Sequence, residues 1–314
     1  MKDHFGRPVL NLRISVTQRC NLHCPYCHRE GQKPAPNDPA VEMTAEEIIR
    51  LVKIAISLGI QRVKLTGGEP LLRKDILTIV KGIASLKDLK DLSMTTNGTS
   101  MVSMAKDLKA NGLMRVNISL PSLNEKVYHN LMGGDLKDAI DGIGAAVEVG
   151  LHPVKVNMLV LADVNENEIP AMTQFAKDSG ALLQLIELEP VNISESYYER
   201  FHYPLNEVEA DMARRASQVE TRPYMQNRHL YHLPDGRVEV IRPIENTEFC
   251  AHCTRLRITS DGKLKPCLMV NSNLIDVLTP MRSGVTDEAL AKLFLETCRN
   301  REPYYRKSIP QTMK

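Results

Sequence analysis

Short runs of β-branched and aliphatic residues alternate with helical patterns along the first part of the chain. Six of these runs predict strands: LRISVT, RVKLTG, DLSMTTN, RVNISL, VKVNMLVL and LLQLIEL. The segments between them have apolar positions at helical spacing. In TAEEIIRLVKIAISLG, for example, Thr44 and Glu47 form a capping box and Gly59 is placed to end the helix. Strands and helices that alternate in this way predict βα units around a parallel sheet.

Six such units are two fewer than a closed eight-stranded barrel contains. The choice lies between an incomplete barrel and an open doubly wound sheet. We predict an α/β fold with an incomplete (β/α)6 barrel, because its open side leaves room for a second region. From Pro190 to about Glu245 the pattern is less regular, which predicts a connection into a smaller C-terminal module with a helix near DEALAKLFLETCRN. The predicted domains are 1–190 and 191–314.

The composition excludes several classes of function. The chain has 314 residues, of which 43% are hydrophobic and 25% charged, as in an ordinary globular protein. Lys and Arg total 40 against 38 Asp and Glu, and aromatic residues make up 4%, so neither a basic tract nor an aromatic platform for nucleic acid is expected. No apolar run approaches the ~18 residues that span a bilayer, and MKDHFGRPVL lacks the layout of a signal peptide. We therefore expect a cytoplasmic protein that binds neither nucleic acid nor a membrane.

Seven cysteines carry the strongest chemical signal. Six of them form two triplets: Cys20, Cys24 and Cys27 in CNLHCPYC, and Cys250, Cys253 and Cys267 in CAHCTRLRITSDGKLKPC. Three thiolates from one tight loop can hold three corners of a cubane iron–sulfur cluster and leave the fourth iron open. The alternative is a structural zinc site, completed by His23 or His28 in the first triplet and by His252 in the second. Cys298 stands alone and is predicted to be a small core residue.

The sequence GGEP, at residues 67–70, ends the second predicted strand. A Gly-Gly pair in this position is often only a tight turn between strand and helix. The alternative is that the missing Cβ atoms let a small zwitterionic ligand approach the backbone. The pair by itself leaves both interpretations open. Three features together favour an iron–sulfur cluster over zinc in the first triplet: the cysteine loop follows the first strand, where a barrel carries its catalytic loops, Tyr26 precedes the last cysteine, and GGEP ends the second strand.

Between the cysteines of the second triplet, RLRIT predicts a strand. Alternation along a strand puts the guanidinium groups of Arg255 and Arg257 on one face, beside the cysteines. Two such groups suit a phosphate, because each makes paired hydrogen bonds to its oxygens. The alternative is a solvated basic edge strand, which is disfavoured because Asp261-Gly262 turns the chain straight back towards Cys267.

The spacing CxxxCxxC, with a tyrosine before the last cysteine and GGEP further on, resembles the radical S-adenosylmethionine (radical SAM) superfamily. The resemblance implies a [4Fe-4S] cluster whose open iron is chelated by S-adenosylmethionine, and a 5′-deoxyadenosyl radical formed when one electron cleaves the sulfonium. The protein then positions chemistry that belongs to the cofactor.

The second triplet, in FCAHCTRLRITSDGKLKPCL, is similar to the C-terminal cluster motif of the GTP 3′,8-cyclase family of molybdopterin biosynthesis. The likeness extends over most of the chain, from LRISVTQRCNLHCPYC to the last cysteine of the second triplet. It implies a smaller C-terminal domain that closes the mouth of the barrel. It also implies a second [4Fe-4S] cluster, carried by that domain, whose open iron binds the purine of GTP.

The family resemblance also implies roles for individual residues. The implied contacts to S-adenosylmethionine are Tyr26, Gly68 and Ser119. The implied contacts to GTP are Arg13, Lys64, Thr95, Lys155, Arg255 and Arg257. Three of these cations lie within predicted strands of a barrel whose interior is normally apolar, so their charges need a partner. A triphosphate would be a sufficient partner, and ion pairs with inward carboxylates such as Glu187 are the alternative.

The chain departs from the family pattern in several places. The departures are Lys64 for an arginine, Pro121 for an aspartate, Gln184 for an arginine and Thr254 for an asparagine. The last residues, SIPQTMK, also lack the double glycine of many members. These differences affect the expected triphosphate contacts and the function of the tail, and leave both cysteine triplets intact.

The resemblance implies GTP as substrate and an electron donor as a partner, and it allows for a homodimer. Two other functions stay open at this point. One is a radical SAM enzyme that modifies a peptide or protein and carries an auxiliary cluster. The other is a binding protein in which both cysteine triplets hold structural zinc.

Overall fold

The fold is described from a computed structural model that covers residues 1–33 and 41–306. The tail sequence SIPQTMK lies outside the described residues. The strands are β1 (Asn11–Ser15), β2 (Arg62–Thr66), β3 (Asp91–Thr96), β4 (Arg115–Ser119), β5 (Val154–Val160), β6 (Leu182–Glu187), β7 (Gln218–Arg222), β8 (Arg228–Leu233), β9 (Gly236–Ile241), β10 (Arg255–Ile258), β11 (Lys263–Lys265) and β12 (Ile275–Asp276). The helices are α1 (Ala45–Ser57), α2 (Ile76–Ala84), α3 (Met101–Ala110), α4 (Glu125–Met132), α5 (Leu136–Glu148), α6 (Ile169–Asp178), α7 (Glu195–Phe201), α8 (Asn206–Arg215), α9 (Thr247–Ala251), α10 (Leu278–Arg282) and α11 (Asp287–Arg299).

The six predicted strands are confirmed as β1 to β6, which pair in chain order and run parallel. Helices connect consecutive strands, as parallel pairing requires. The first of them, α1, begins at the predicted capping box, since Thr44 accepts from the backbone of Glu47 and Glu47 accepts from the backbone of Thr44. Gly59 follows the end of α1 with a φ of 89°, a conformation that favours glycine.

The parallel part of the sheet is wider than the six predicted strands. β10 pairs parallel with β1, and β9 pairs parallel with β6, so the C-terminal segment extends the sheet on both sides. Two short antiparallel additions complete the order β12-β11-β10-β1-β2-β3-β4-β5-β6-β9-β8-β7. The α/β class with a large parallel sheet is therefore confirmed, and the count of six barrel units stays a prediction. The domain boundary at 190 stays a prediction.

The segment between Pro190 and Glu245 is more regular than predicted. It contains α7 and α8 and the three strands β7 to β9, of which β8 and β9 form a hairpin. The pattern concealed β7 because it lies at the edge of the sheet and most of its side chains are exposed, so the strand has no apolar alternation to recognise. The predicted C-terminal helix is confirmed as α11, and Cys298 within it is buried.

The apolar core lies between the sheet and the helices packed on its outer face. Leu12 and Ile14 of β1 point into this core, and Arg13 between them lines a cavity on the other face. This alternation is the period of a β-strand, whose successive side chains point to opposite faces. The same sequence pattern therefore provides both the stability of the sheet and the polar interior.

The connection between β7 and β8 lies against the beginning of the parallel strands. The hydroxyl of Thr254 donates to the carbonyl of Tyr224 over 2.8 Å and accepts from the side chain of Asn11 over 2.6 Å. Asn11 also donates to the carbonyl of Tyr224 over 3.3 Å. The β7–β8 connection thus contacts the beginning of β1 and the residue before β10. In the described residues, no helix is long and apolar enough to cross a membrane.

Candidate functional site

A cavity of about 340 Å³ lies on the inner face of the parallel sheet. All the site residues predicted from the sequence line it, namely Arg13, Cys20, Cys24, Tyr26, Cys27, Lys64, Gly68, Thr95, Ser119, Lys155, Cys250, Cys253, Arg255, Arg257 and Cys267. They come from six of the parallel strands and from the two cysteine segments. The fold therefore brings together residues that are up to about 250 positions apart in the sequence.

The first cysteine loop follows the carboxyl end of β1 and packs against the end of β2. The backbone amide of Gly68 donates to the carbonyl of Thr17 over 2.7 Å, and that of Glu69 donates to the carbonyl of Arg19 over 2.8 Å. A Cβ on Gly68 would lie 2.2 Å from the carbonyl oxygen of Arg19. The glycine is therefore required for the close approach of two chain segments, a reason that the sequence interpretation did not include. The amide of Gly68 is engaged in the protein.

Within the first cysteine loop, Cys24 and Tyr26 both contact the sulfur of Met132. The hydroxyl of Tyr26 donates to the sulfur of Met132 over 2.9 Å, and the sulfur of Cys24 lies 3.4 Å from that of Met132. Burial raises the pKa of Cys24 to about 12, and raises the pKa of Cys20 and Cys27. Binding to a cation that stabilises the thiolates would therefore be needed to ionise this group.

The second cysteine group is held by a buried ion triad from both ends of the chain. Arg7 donates to the carbonyl of Cys250 over 2.8 Å, and Arg301 donates to the carbonyl of Cys253 over 2.5 Å. Both guanidinium groups contact the buried carboxylate of Asp3, at 2.8 and 3.1 Å. Burial would raise the pKa of the Cys253 thiol, but the charge of Arg301, together with its other neighbours, lowers it overall. In contrast, burial raises the pKa of Cys250 and Cys267.

The two cysteine groups lie at opposite ends of the parallel strands. Cys20 to Cys27 follow β1, whereas Cys250 and Cys253 precede β10, and β1 and β10 pair in parallel with Asn11 opposite Arg255. The space between the groups is therefore bounded by the length of one strand. Both groups line the same cavity.

A row of polar side chains crosses the strands between the two cysteine groups. In the sheet register Arg13 lies between Arg257 and Lys64, and Asn117 lies between Thr95 and Lys155. An apolar interior is normal for such a sheet, and each of these side chains lines the cavity instead. The polar row is the feature that separates this cavity from a packed core.

Glu30 neutralises two of the predicted cations. Its carboxylate lies 3.4 Å from Arg13, forms an ion pair with Arg257 and accepts from the hydroxyl of Thr66 over 2.9 Å. Burial would raise the pKa of Glu30, but Arg13 and Arg257 outweigh it and hold the pKa at about 2. Glu30 reaches this position from a loop in which its own φ is 52°.

Lys155 is also paired, and its partner comes from β9. The ammonium group donates to Glu239, which accepts from the side chain of Gln184 as well. Burial lowers the pKa of Lys155 to about 8, and the charge of Glu239 limits the fall. Arg13 and Lys155 thus pair with carboxylates, which was the alternative to a triphosphate partner, but the carboxylates are Glu30 and Glu239 and not the suggested Glu187. Glu187 instead contacts His202 over 3.1 Å.

Other polar groups of the cavity have no ionic partner among the described residues. Lys64 donates to the amide oxygen of Asn117 over 2.7 Å, and burial followed by its cationic neighbours lowers its pKa well below the usual value. Arg255 makes no ion pair or side-chain hydrogen bond with any described residue, and burial followed by its cationic neighbours lowers its pKa well below the usual value. Among residues 1–33 and 41–306, the buried hydroxyl of Thr95 has no hydrogen-bond partner. Buried polar groups are normally satisfied, so these three indicate a ligand with anionic oxygens.

The structure explains the local role of the departures from the family pattern. Thr254 fixes the β7–β8 connection, as described above. Pro121 accepts from the side chain of Asn165 over 2.7 Å through its carbonyl. Gln184 links Asn117, over 3.1 Å, to Glu239, and so belongs to the polar row.

Sequence reasoning missed several polar residues that line or support the cavity: Glu30, Glu69, Asn117, Arg228 and Glu239. Glu69 is buried and accepts from the hydroxyl of Thr96 over 2.7 Å and from the backbone amide of Asn97 over 2.7 Å, which ties the end of β2 to that of β3. Asn117 carried a signal, because it is an amide at an inward position of a predicted strand. Glu30 and Glu239 did not, because their partners are set by tertiary structure.

We expect Gly68→Ala to reduce stability by about 1–3 kcal/mol and to lower the iron that the first cysteine group retains, because its Cβ would displace the backbone leading to Cys20. Thermal unfolding and iron content measure both effects. Gly144→Ala is the control, since the new Cβ meets nothing within 4 Å there and replaces a helical glycine. Equal melting temperature and iron content in Gly68→Ala and wild type would contradict the role of this close approach.

Comparison with known proteins places the fold and the cysteine loops in one family. A family model described as Radical SAM superfamily matches residues 14–176, and one described as Molybdenum Cofactor Synthesis C matches residues 181–307. The chain belongs to the radical SAM superfamily. The resemblance seen in CxxxCxxC and GGEP is thereby confirmed.

Similar proteins cover nearly the whole chain. A relative from Thermococcus kodakarensis is 49% identical over 97% of this chain and 99% of its own length. Others from Pyrococcus horikoshii and Methanothermobacter thermautotrophicus are 48% and 43% identical, over 96% and 97% of this chain and 97% and 99% of their own lengths. Each is described as a probable GTP 3′,8-cyclase. This chain and these proteins form one family.

Solved structures share the fold at low identity. SuiB of Streptococcus suis bound to S-adenosylmethionine has a TM-score of 0.63 and 19% identity, over 97% of this chain and 77% of that one. SuiB bound to its precursor peptide SuiA has a TM-score of 0.64 and 20% identity, over 95% of this chain and 66% of that one. The likeness supports the superfamily fold.

The residues of the two cysteine groups fit iron–sulfur clusters by their chemistry. Cysteine thiolates are the usual ligands of such clusters, and each group offers three of them to the same cavity. Within each group, neighbouring thiols contribute to raising one another's pKa, although burial is the larger cause. Among residues 1–33 and 41–306, no group of three or more His, Cys, Asp and Glu side chains is close enough to hold a single metal ion.

Proposed function

We propose that this chain is a GTP 3′,8-cyclase, which converts GTP to (8S)-3′,8-cyclo-7,8-dihydroguanosine 5′-triphosphate in molybdenum cofactor biosynthesis. The relatives described above support the reaction, and the match to Molybdenum Cofactor Synthesis C supports the pathway. The single observation that carries the proposal is the arrangement of the cavity. Two groups of three cysteines lie at its two ends, with a row of cations between them.

The superfamily implies S-adenosylmethionine and one [4Fe-4S] cluster, which Cys20, Cys24 and Cys27 would hold. When bound, this pair supplies the radical that removes a hydrogen atom from the ribose. Tyr26, Gly68 and Ser119 line the same end of the cavity and are proposed to contact S-adenosylmethionine. Since the amide of Gly68 donates to Thr17, its contribution would come from its carbonyl group or its Cα.

A second [4Fe-4S] cluster, held by Cys250, Cys253 and Cys267, is part of the proposal. It would bind the purine of GTP and so place the base at the end of the cavity opposite to S-adenosylmethionine. Contacts of the Asp3–Arg7–Arg301 triad fix the backbone of this group from within the protein. Ordering of a binding group by the protein itself reduces the entropy that binding has to overcome.

The cations that line the cavity are proposed to hold the triphosphate. Arg255 and Lys64 have no carboxylate partner in the part of the chain that the structure describes, so their charges are available to phosphate oxygens. Arg13 and Arg257 form ion pairs with Glu30, and Lys155 forms one with Glu239. These cations would contribute to a phosphate site together with their carboxylate partners. Thr95 offers its unpartnered hydroxyl. Holding the nucleotide at base and triphosphate leaves the ribose between them, where C3′ and C8 are joined within one molecule.

The partners beyond GTP remain proposals on the same basis. The reaction needs an electron donor, which would approach from outside the cavity. A homodimer and a cytoplasmic location belong to the proposal as well.

The proposal predicts the metal content and the reaction of the purified protein. After anaerobic reconstitution we expect a brown protein with about eight iron and eight sulfide per chain, because two clusters of four irons fit two cysteine triplets. Incubation with GTP, S-adenosylmethionine and a reductant is expected to give 5′-deoxyadenosine and the cyclic nucleotide, measured by mass spectrometry.

The same experiment distinguishes the other functions. Stoichiometric zinc without iron would support the zinc-binding alternative and refute the proposal. A protein with both clusters that cleaves S-adenosylmethionine but leaves GTP unchanged would point to a peptide or protein substrate. The likeness to SuiB shows the fold, and does not favour that substrate over GTP.

A further inference from the structure

The β7–β8 hairpin brings two arginines against one buried carboxylate. Arg222 and Arg228 are register partners across the hairpin, and each has a terminal nitrogen 3.6 Å from an oxygen of Glu239. Arg228 lines the cavity and is 6% exposed, whereas Arg222 lies outside the cavity lining and also contacts Glu220 at 3.4 Å. The two arginines thus share a carboxylate, and one of them faces the proposed substrate.

The guanidinium of Arg228 is incompletely satisfied within the described residues. Its Nε donates to the carbonyl of Met225 over 2.7 Å. Its Nη1 lies too far from Glu239 for a hydrogen bond, and neither terminal nitrogen donates to any other described residue. A buried guanidinium has five donors, and most of them normally find acceptors. The terminal nitrogens of Arg228 are therefore available to an acceptor in the cavity.

The balance of charge around Glu239 also indicates that Arg228 is available to an anion in the cavity. One carboxylate, Glu239, serves Lys155, Arg228 and Arg222. Two of these cations line the cavity, so the pair of Lys155 and Arg228 retains an excess of positive charge there. Buried charge without a counter-charge is costly, and a bound anion would relieve that cost.

Arg228 also lies near the other cations of the cavity. Its charge lowers the pKa of Arg13 and Arg255, although burial is the larger cause in both. The β7–β8 connection that precedes Arg228 contacts Thr254, the residue next to Arg255. The hairpin therefore carries Arg228 to the part of the cavity that Arg255 lines.

We propose that Arg228 binds a phosphate of the nucleoside triphosphate substrate, alongside Arg255. The inference rests on the proposed function and adds a contact to it that the sequence motifs do not contain. Arg228 would contact the substrate directly, and Glu239 would be a positioning residue that orients Arg228 and Lys155 through its carboxylate. Arg222 would contact Glu239 but not the substrate.

The test compares Arg228→Gln with Arg222→Gln in the reconstituted holoenzyme. We expect Arg228→Gln to weaken GTP binding about tenfold to a hundredfold, because it loses charge-assisted hydrogen bonds, and to change guanosine binding less than about twofold. Arg222→Gln removes a charge at the same distance from Glu239, and we expect GTP binding within about twofold of wild type. Arg228→Lys should recover part of the affinity, because an ammonium keeps the charge and loses the paired geometry.

Equal weakening of GTP and guanosine in Arg228→Gln would overturn the proposal, and so would a loss in Arg222→Gln as large as that in Arg228→Gln. Either result would assign Arg228 a structural role through Glu239. Uncoupled cleavage of S-adenosylmethionine and the melting temperature show whether the variants fold. If Arg228→Gln does not fold, the comparison is made with Arg228→Lys, for which unchanged GTP affinity overturns the proposal.

Inorganic triphosphate separates this inference from the proposed function. If wild type binds GTP and Arg228→Gln binds it equally well, the inference alone fails. If wild type binds inorganic triphosphate in an Arg228-dependent manner but does not bind GTP, the cyclase proposal fails and the anion contact stands. If wild type binds neither compound, both fail.

Discussion

Replacing Cys24 by Ala is expected to abolish reductive cleavage of S-adenosylmethionine, whereas replacing Cys253 by Ala is expected to leave uncoupled cleavage and abolish conversion of GTP. The reason is the position of the two cysteine groups. Cys24 belongs to the loop packed against GGEP, while Cys253 precedes the arginine strand β10 at the other end of the cavity. Formation of 5′-deoxyadenosine with and without GTP, together with iron content, measures the two effects.

Cys298→Ala is the matched control for these variants. Cys298 is buried in α11, in the part of the chain that the structure describes, and does not line the cavity. We expect this variant to keep full iron content and both activities, with a modest loss of stability from the smaller side chain. If Cys24→Ala and Cys253→Ala retained the same residual activities, the assignment of separate roles to the two groups would be wrong.

The fold could be predicted where the local spacing of apolar residues determined the structure. β1 to β6 and α1 are clear in the sequence, because apolar residues repeat at strand or helix spacing and the turns carry glycine. β10 was also predicted, since Arg255 and Arg257 alternate with Leu256 and Ile258. Its position beside β1 was not, because pairing between residues about 240 positions apart leaves no local pattern.

The residues that line the site could be predicted, but the ion pairs between them could not. The motifs identified the cysteines and the cations, and these line one cavity. The carboxylates that neutralise the cations are Glu30, in a loop with left-handed backbone, and Glu239, in a strand next to the β7–β8 hairpin. Neither position is recognisable from spacing, since Glu30 and Arg257 are 227 residues apart. Glu187, the inward carboxylate that the sequence offered as an example of such a partner, contacts His202 instead.

This difference in pairing changes what is expected of the two arginines in β10. Arg257 is bound to Glu30, so Arg257→Ala leaves that buried carboxylate with fewer partners. Removing one member of a buried ion pair typically costs about 3–5 kcal/mol. Arg257→Ala is therefore expected to lower the melting temperature as well as GTP affinity. Arg255 has no such partner among the described residues, so Arg255→Ala is the cleaner test of phosphate binding.

Arg255→Ala is expected to weaken GTP binding by roughly tenfold to a hundredfold without a comparable loss of stability. A charge-assisted hydrogen bond contributes about 1.5–3 kcal/mol, and ~1.4 kcal/mol corresponds to a factor of ten in affinity. Burial is the largest cause of the lowered pKa of Arg255, and the charges of Arg13, Arg228 and Arg257 lower it further. Removing Arg255 therefore also relieves repulsion between these cations. The free protein should thus tolerate the change, while the complex with GTP loses a contact. Calorimetric titration of the holoenzyme and thermal unfolding measure the two quantities separately.

Guanosine provides the control that links this effect to phosphate. It has the base and ribose of GTP and no phosphate, so Arg255→Ala should change its affinity much less than that of GTP. Arg255→Lys should recover part of the GTP affinity, because an ammonium retains the charge but cannot make the bidentate contact of a guanidinium. Equal weakening of GTP and guanosine would show that Arg255 shapes the neighbourhood of the second cysteine group rather than binding phosphate. The row of cations would then require another anionic ligand, and the peptide-modifying alternative would gain support.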